Sequence, residues 1–188
     1  DTSPVITATT AVTVRIVNNT AADLFIGPET PGGCGQIDPF SLDDAGQPVT
    51  WQLDSCTFTC EALQKGQCAC AADCALPFVW RIAAGGVLEV PWDGVVFPAE
   101  TMPDTCYDAM CGAGQACFVP SEPSGPLTFT ATAWTEVSGT CGGGACTCTP
   151  DANGICSITT GEAVVAGTGV IQSTEVGSLG ATVDITFE

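Results

Sequence analysis

The chain of 188 residues has no histidine. That absence removes Ser-His and Cys-His catalytic pairs, histidine zinc sites and the commonest general base. Positive charge is almost as scarce. Arg15, Lys65 and Arg81 stand against 21 Asp and Glu, for a net charge of −18. Nucleic acid is a poor partner for such a chain, because phosphate contacts need clustered cations, and anionic membrane surfaces are disfavoured for the same reason. No apolar run is long enough to span a bilayer, so direct membrane insertion is not expected. Sustained helical periodicity is also missing, and helical turns are expected only near Glu61-Ala62-Leu63-Gln64 and Tyr107-Asp108-Ala109-Met110.

Cysteine and strand-forming residues are plentiful. Thirteen cysteines, with 45% hydrophobic residues and only 13% charged, describe a folded, disulfide-stapled protein of an oxidising compartment rather than a disordered acidic one. Asp1 reads as a mature N-terminus from which an export signal has been removed. The expected location is therefore secreted or at the cell surface.

Alternation with a period of two recurs along the chain. Val12, Val14 and Ile16 share one strand face. Leu127, Phe129, Ala131 and Ala133 alternate with Thr128, Thr130, Thr132 and Trp134. Val183, Ile185 and Phe187 alternate with Thr182, Asp184 and Thr186. Further strands are expected over 23–27, 49–53, 78–82, 87–90, 95–97 and 162–172, with Gly85-Gly86 as a tight turn. Many short antiparallel strands with Gly/Pro turns predict an all-β fold, a single antiparallel, Ig-like β-sandwich; a partly open barrel is the rival. One domain covering residues 1–188 is expected, with Cys-rich loop insertions near 54–76, 98–124 and 139–157.

The cysteines cluster in those connections: Cys34 in a Pro/Gly loop, then Cys56, Cys60, Cys68, Cys70 and Cys74, then Cys106, Cys111 and Cys117, then Cys141, Cys146, Cys148 and Cys156. The pairs Cys68-x-Cys70 and Cys146-x-Cys148 lack zinc-knuckle spacing, and no Cys-x-x-Cys redox motif is present. Disulfides are the expected state, with one cysteine unpaired or intermolecular. Pairing within each group would leave the odd one among Cys106, Cys111 and Cys117.

Calcium is the one ion for which the acidic chain has the chemistry, and no other cofactor is expected. Asp151-Ala152-Asn153-Gly154 resembles the start of a calcium loop, and Asp43-Asp44-Ala45-Gly46 is similar in character, which makes Asp151, Asn153, Asp43 and Asp44 the candidate ligands. The plain reading is that Asp, Asn and Gly form turns and that the charge keeps the chain soluble. Asn18-Asn19-Thr20 matches the glycosylation sequon. Carboxylate-pair hydrolysis is the enzymatic route left without histidine, and it needs two facing carboxylates in an aromatic-lined cleft. The aromatics are scattered and no acidic motif is local, so no enzymatic activity and no catalytic residue are expected.

Three stretches carry a likeness. Val14-Arg15-Ile16-Val17-Asn18-Asn19-Thr20, then Phe40-Ser41-Leu42-Asp43-Asp44-Ala45-Gly46, then Ile82-Ala83-Ala84-Gly85-Gly86 leading to Trp92-Asp93-Gly94 together resemble the intracellular proteinase inhibitor (BsuPI-type) β-sandwich family. The chain also resembles uncharacterised Cys-rich exported proteins of myxobacterial type. The likeness covers about half the chain and implies a β-sandwich. The family has Pro-Gly where Gly85-Gly86 stands, and the Cys-rich loops have no counterpart in it. The expected function is non-enzymatic: recognition or self-assembly through a protein partner, as a subunit of an extracellular structure. The alternatives are a proteinase inhibitor presenting a disulfide-braced loop and a calcium-stabilised adhesion module. An apolar segment from Pro4 to Ile16 is expected to pair as a strand, either within its own sandwich or along a neighbour as a means of assembly.

Overall fold

A computed structural model describes residues 11–30, 37–54, 56–69, 78–111, 114, 116–141, 146–159 and 163–188. Strands dominate it. They are β1 (Val12–Asn18), β2 (Leu24–Ile26), β3 (Ser41–Asp44), β4 (Gln47–Val49), β5 (Phe78–Ile82), β6 (Val87–Trp92), β7 (Ala99–Glu100), β8 (Cys117–Phe118), β9 (Leu127–Ser138), β10 (Ile155–Thr159), β11 (Val164–Val176) and β12 (Thr182–Phe187). One short helix, α1 (Cys60–Gln64), lies between β4 and β5. The Thr59 hydroxyl caps it by accepting the Ala62 N–H at 3.1 Å.

The architecture is a disulfide-braced β-sandwich. One sheet has the order β12-β1-β6. Its pairing departs from the expected antiparallel pattern once, where β1 runs parallel to β12 with Ile16 opposite Ile185. The other sheet has seven strands built around β9. β11 follows one edge of β9 from Leu127 to Ser138. The other edge is shared: Phe25 of β2 faces Trp134, and Ser41 of β3 faces Thr130. Neither strand pairs with Ala131 to Ala133 between these two points, so the sheet is split along that edge. β5 and β10 extend it beyond β2, and β4 beyond β3.

The alternation read along the sequence is the alternation that packs. Val12, Val14 and Ile16 meet Leu127, Phe129, Ala131, Ala133, Val183, Ile185 and Phe187 in one core, each of the larger side chains, alanines apart, contributing roughly 1.5–3 kcal/mol on leaving water. Trp51 stacks on Phe40 with centroids 4.3 Å apart and gives its indole N–H to the Phe40 carbonyl at 3.0 Å. The upper part of the large sheet is covered on its second face as well. There Val79, Ile158, Val165 and Cys141 form a smaller core, with Phe25 and Trp134 packed on it.

Some expected elements shift. Residues 49–53 and 95–97 contribute only the end of β4 and isolated bridges such as Thr50 with Phe97. The single-turn helix near 107–110 is a 3₁₀ turn at Asp104–Cys106 instead. β3, β7, β8 and β10 arise where no strand was expected, and β4 lies mostly before the strand expected from residue 49. The segment proposed to assemble by strand pairing falls partly on residues 1–10, outside the described residues. From Val12 onward it pairs with β12 and β6 of its own chain.

Asn18 joins the two sheets. It is fully buried at the end of β1, where the chain crosses to β2. Its side-chain N–H groups face the carbonyls of Ala22, Ile82 and Ala83 at 2.8, 2.9 and 3.1 Å. Its Oδ1 accepts the N–H and hydroxyl of Thr20 at 3.0 and 2.7 Å. Its main chain exchanges hydrogen bonds with Gly85 and Gly86, in the turn by which β5 crosses to β6. This burial also removes the sequon as a glycosylation site in the folded protein. Asn18→Asp would aim a carboxylate at three carbonyls and is expected to cost about 3 kcal/mol or more of folding free energy. Urea denaturation measures it, and a loss within 1 kcal/mol would show that Asn18 is not the joint described.

Candidate functional site

The connections after β4 and after β6 fold together into a stapled lobe. Cys60–Cys117 and Cys68–Cys111 bridge them across separations of 57 and 43 residues. In the chain-entropy account, bridges of this span each stabilise by about 4 kcal/mol. Leu63 of α1 is completely buried between Cys111 and Cys117, with Phe58, Met102 and Tyr107 packed around it. The expectation of pairing within each cysteine group is therefore corrected: these two bridges join one group to the next. The reason is the sandwich itself, which brings the two connections side by side through the bridges Thr50 to Phe97 and Thr59 to Phe118. The last group does pair locally, as Cys141–Cys146 and Cys148–Cys156. Cys56 is also disulfide-bonded. Cys34, Cys70 and Cys74 lie outside the described residues. Nor do the cysteines avoid regular structure, since Cys60, Cys117 and Cys156 lie in α1, β8 and β10.

The lobe carries one turn outward. Asp108 gives its main-chain N–H to Leu63 O at 3.2 Å, and its carboxylate accepts the Met110 N–H at 2.9 Å. Met110 is 82% exposed, next to the bridged Cys111. Cys106, at the end of the 3₁₀ turn, is exposed and is the free cysteine among the described residues.

Of the proposed calcium ligands, Asp44 and Asp151 accept hydrogen bonds within their own chain. Asp44 is buried on β3; its Oδ2 accepts the N–H and hydroxyl of Ser124 at 2.7 and 3.0 Å, and its Oδ1 the Gly125 N–H at 2.8 Å. Asp43 is the next residue on the same strand and points to the opposite face. Asp151 Oδ1 accepts the N–H groups of Asn153 and Ile155, both at 2.9 Å. The Asn153 carbonyl accepts the Val87 N–H at 3.0 Å. The same i to i+2 turn recurs at Asp54 and Asp93, which accept the N–H groups of Cys56 and Val95, as at Asp108. Asp54, Asp93, Asp108 and Asp151 are thus turn residues. Among the described residues, no group of three or more acidic or cysteine side chains could hold a metal ion.

All three cations are paired. Arg15 lies between Asp184 at 3.3 Å and Glu89 at 3.7 Å across the small sheet. Lys65 pairs with Glu61 one turn away on α1, which holds the Glu61 carboxyl below its ordinary value. Arg81 pairs with Asp23 at 2.7 Å and donates to Cys148 O at 3.0 Å, tying the last cysteine loop to β5.

A cleft of about 350 Å³ opens where the chain leaves β9 between β2 and β3. Glu29, Asp38, Ser41, Thr130 and Thr132 line it with Trp51 and Trp134. Sequence reasoning did not find it, because its two tryptophans and two carboxylates come from four separate segments. Asp38's carboxyl is held above its ordinary value, first by partial desolvation and then by the charge of Asp54.

No protein-family model, curated protein or solved structure matches this chain. Disulfide formation points to an oxidising setting for folding, and no helix among the described residues is long and apolar enough to cross a membrane.

Two outcomes follow. Iodoacetamide added to the native, non-reduced protein is expected to modify Cys106, read by peptide mapping, while Cys111 and Cys117 stay unmodified. Asp38 binds its proton more tightly in the fold than in the unfolded chain, so its ionised form weakens the fold above that range and the cost vanishes at acid pH. Asp38→Asn is therefore expected to raise Tm at pH 7 and leave it unchanged near pH 3 (well below the range in which a raised carboxyl titrates); a lower Tm at pH 7 would contradict this.

Proposed function

We propose that the protein is a non-enzymatic, secreted or cell-surface recognition and assembly protein, acting as a subunit of an extracellular structure. The observation that carries this reading is the stapled lobe. Two disulfides and a private core around Leu63 hold a turn that exposes Met110. Bracing lowers the entropy lost on binding, and an exposed, adaptable Met is a contact residue rather than a packing one. The unbalanced charge of −18 suits a protein kept apart from its neighbours until specific contacts form.

The proteinase-inhibitor alternative draws on the same turn with less support. A loop that enters a proteinase by strand addition needs extended backbone with free N–H groups, whereas the Met110 N–H is held by Asp108. The calcium-stabilised adhesion alternative would need ligands other than the engaged oxygens of Asp44 and Asp151.

Sedimentation of the intact, non-reduced protein over a range of concentrations tests the assembly reading. Self-association is expected at high concentration, and Met110→Glu is expected to weaken it at least tenfold with no change in Tm. A monomer at every concentration, or association indifferent to Met110→Glu, would overturn this version.

A further inference from the structure

We propose that the cleft between β2 and β3 receives a basic side chain, arginine or lysine, from a protein partner; this rests on the recognition reading above and names its chemistry.

Three observations converge. The first is charge without a counter-charge. Every cation of the chain is paired elsewhere: Arg15 with Asp184 and Glu89, Lys65 with Glu61, Arg81 with Asp23. Among the described residues, Glu29 and Asp38 on the cleft wall have no basic partner, and Asp54 adds a like charge beside Asp38. The second is the wall itself. Trp51 and Trp134 line the same cleft as the two carboxylates. An indole face beside carboxylate oxygens suits a guanidinium or ammonium, which gains from both ring and charge. The third is size and depth. About 350 Å³ is at the small end of ligand pockets and fits one long side chain with its aliphatic stem against the tryptophans. Thr132 also lines the cleft, whereas the Thr130 hydroxyl is bonded to that of Ser173 at 2.8 Å and Ser41 donates to Thr130 O at 3.4 Å.

A metal ion fits less well. Calcium takes 6–8 oxygen ligands, and the described residues contain no group of three or more Asp, Glu or Cys side chains that could hold a metal ion. A basic side chain needs only one or two carboxylates. The opening itself is a product of the topology. β2 ends at Ile26, and a Cβ on Gly27 would lie 2.7 Å from the Val79 side chain, so the chain passes close over β5 there. β3 begins opposite Thr130 and β2 pairs with β9 at Trp134, so the length between these two pairs is Ala131 to Ala133, and Thr130, Thr132 and Trp134 line the cleft there.

The probe is a blocked tripeptide, acetyl-Gly-Arg-Gly-amide, titrated into the full-length protein and followed by the indole N–H signals in NMR spectra. Saturable shifts of the Trp134 and Trp51 signals are expected at millimolar peptide. The citrulline analogue, which keeps the shape and loses the charge, is expected to bind at least tenfold more weakly. Glu29→Gln with Asp38→Asn is expected to weaken binding at least tenfold, and Glu136→Gln, on another surface, to leave it unchanged. Equal binding of arginine and citrulline peptides would overturn the proposal, as would saturable displacement of the peptide by equimolar calcium. Hydrolysis of aryl glycosides that is lost in the same double variant would overturn it in favour of a carbohydrate site. Met110→Glu is expected to leave peptide binding intact, so failure of assembly through the lobe and failure of the cleft are read separately.

Discussion

The fold depends on one buried amide. A sandwich needs its chain to cross between sheets, and each crossing strands backbone groups that neither ladder can satisfy. Here two crossings, β1 to β2 and β5 to β6, come together at Asn18. A single primary amide supplies donors to Ala22, Ile82 and Ala83 and an acceptor to Thr20. No carboxylate can donate and no hydroxyl can reach as many partners, so asparagine is the side chain that suits the position. The turn it holds then receives a second one. Gly86 and Gly154 pack backbone to backbone, where a Cβ on Gly154 would sit 2.9 Å from Gly86 Cα. Gly154 adopts φ of 77°, a conformation cheap only for glycine. Through that contact, the last cysteine loop is registered against the same joint.

The parts legible in the sequence were those where periodicity and burial coincide. β1, β9 and β12 alternate because one face of each meets the core. β3 and β4 were hidden because Asp43-Asp44-Ala45-Gly46 has turn composition. The turn is real, yet Asp44 belongs to the strand before it and is retained inside because Ser124 and Gly125 satisfy it. β10 was hidden by cysteine in a segment where loops were expected. Pairing of the middle cysteines could not be read at all, since it depends on which connections the sandwich places side by side. The same limit applies to the cleft, whose walls come from residues 26–29, 38–41, 49–51 and 130–134.

Electrostatics and stapling divide the work. The few cations act as local fasteners: Arg15 clips three strands of the small sheet, and Arg81 holds the last cysteine loop to the large one. The many acids mostly form turns or remain solvated. The disulfides supply cohesion where apolar area runs out, in a lobe whose core amounts to Leu63 and the bridges themselves. In such a lobe, stability and redox state are coupled, while the sandwich keeps an apolar core of its own.

The parallel pairing of β1 with β12 carries a consequence for how the chain comes together in time. During synthesis β1 emerges early, and its neighbour β6 is complete 80 residues later, by the register of Val12 with Trp92. Its other edge must wait for β12, since Val14 pairs with Val183. For that interval, a Val-rich strand has one open edge, and the seam later closed by the Thr174 hydroxyl on Asp184 O stays unzipped. Closure of the small sheet is thus a late, non-local event of high contact order. A chain stalled or cut before β12 would expose the β1 edge, the kind of surface on which strands from other molecules add.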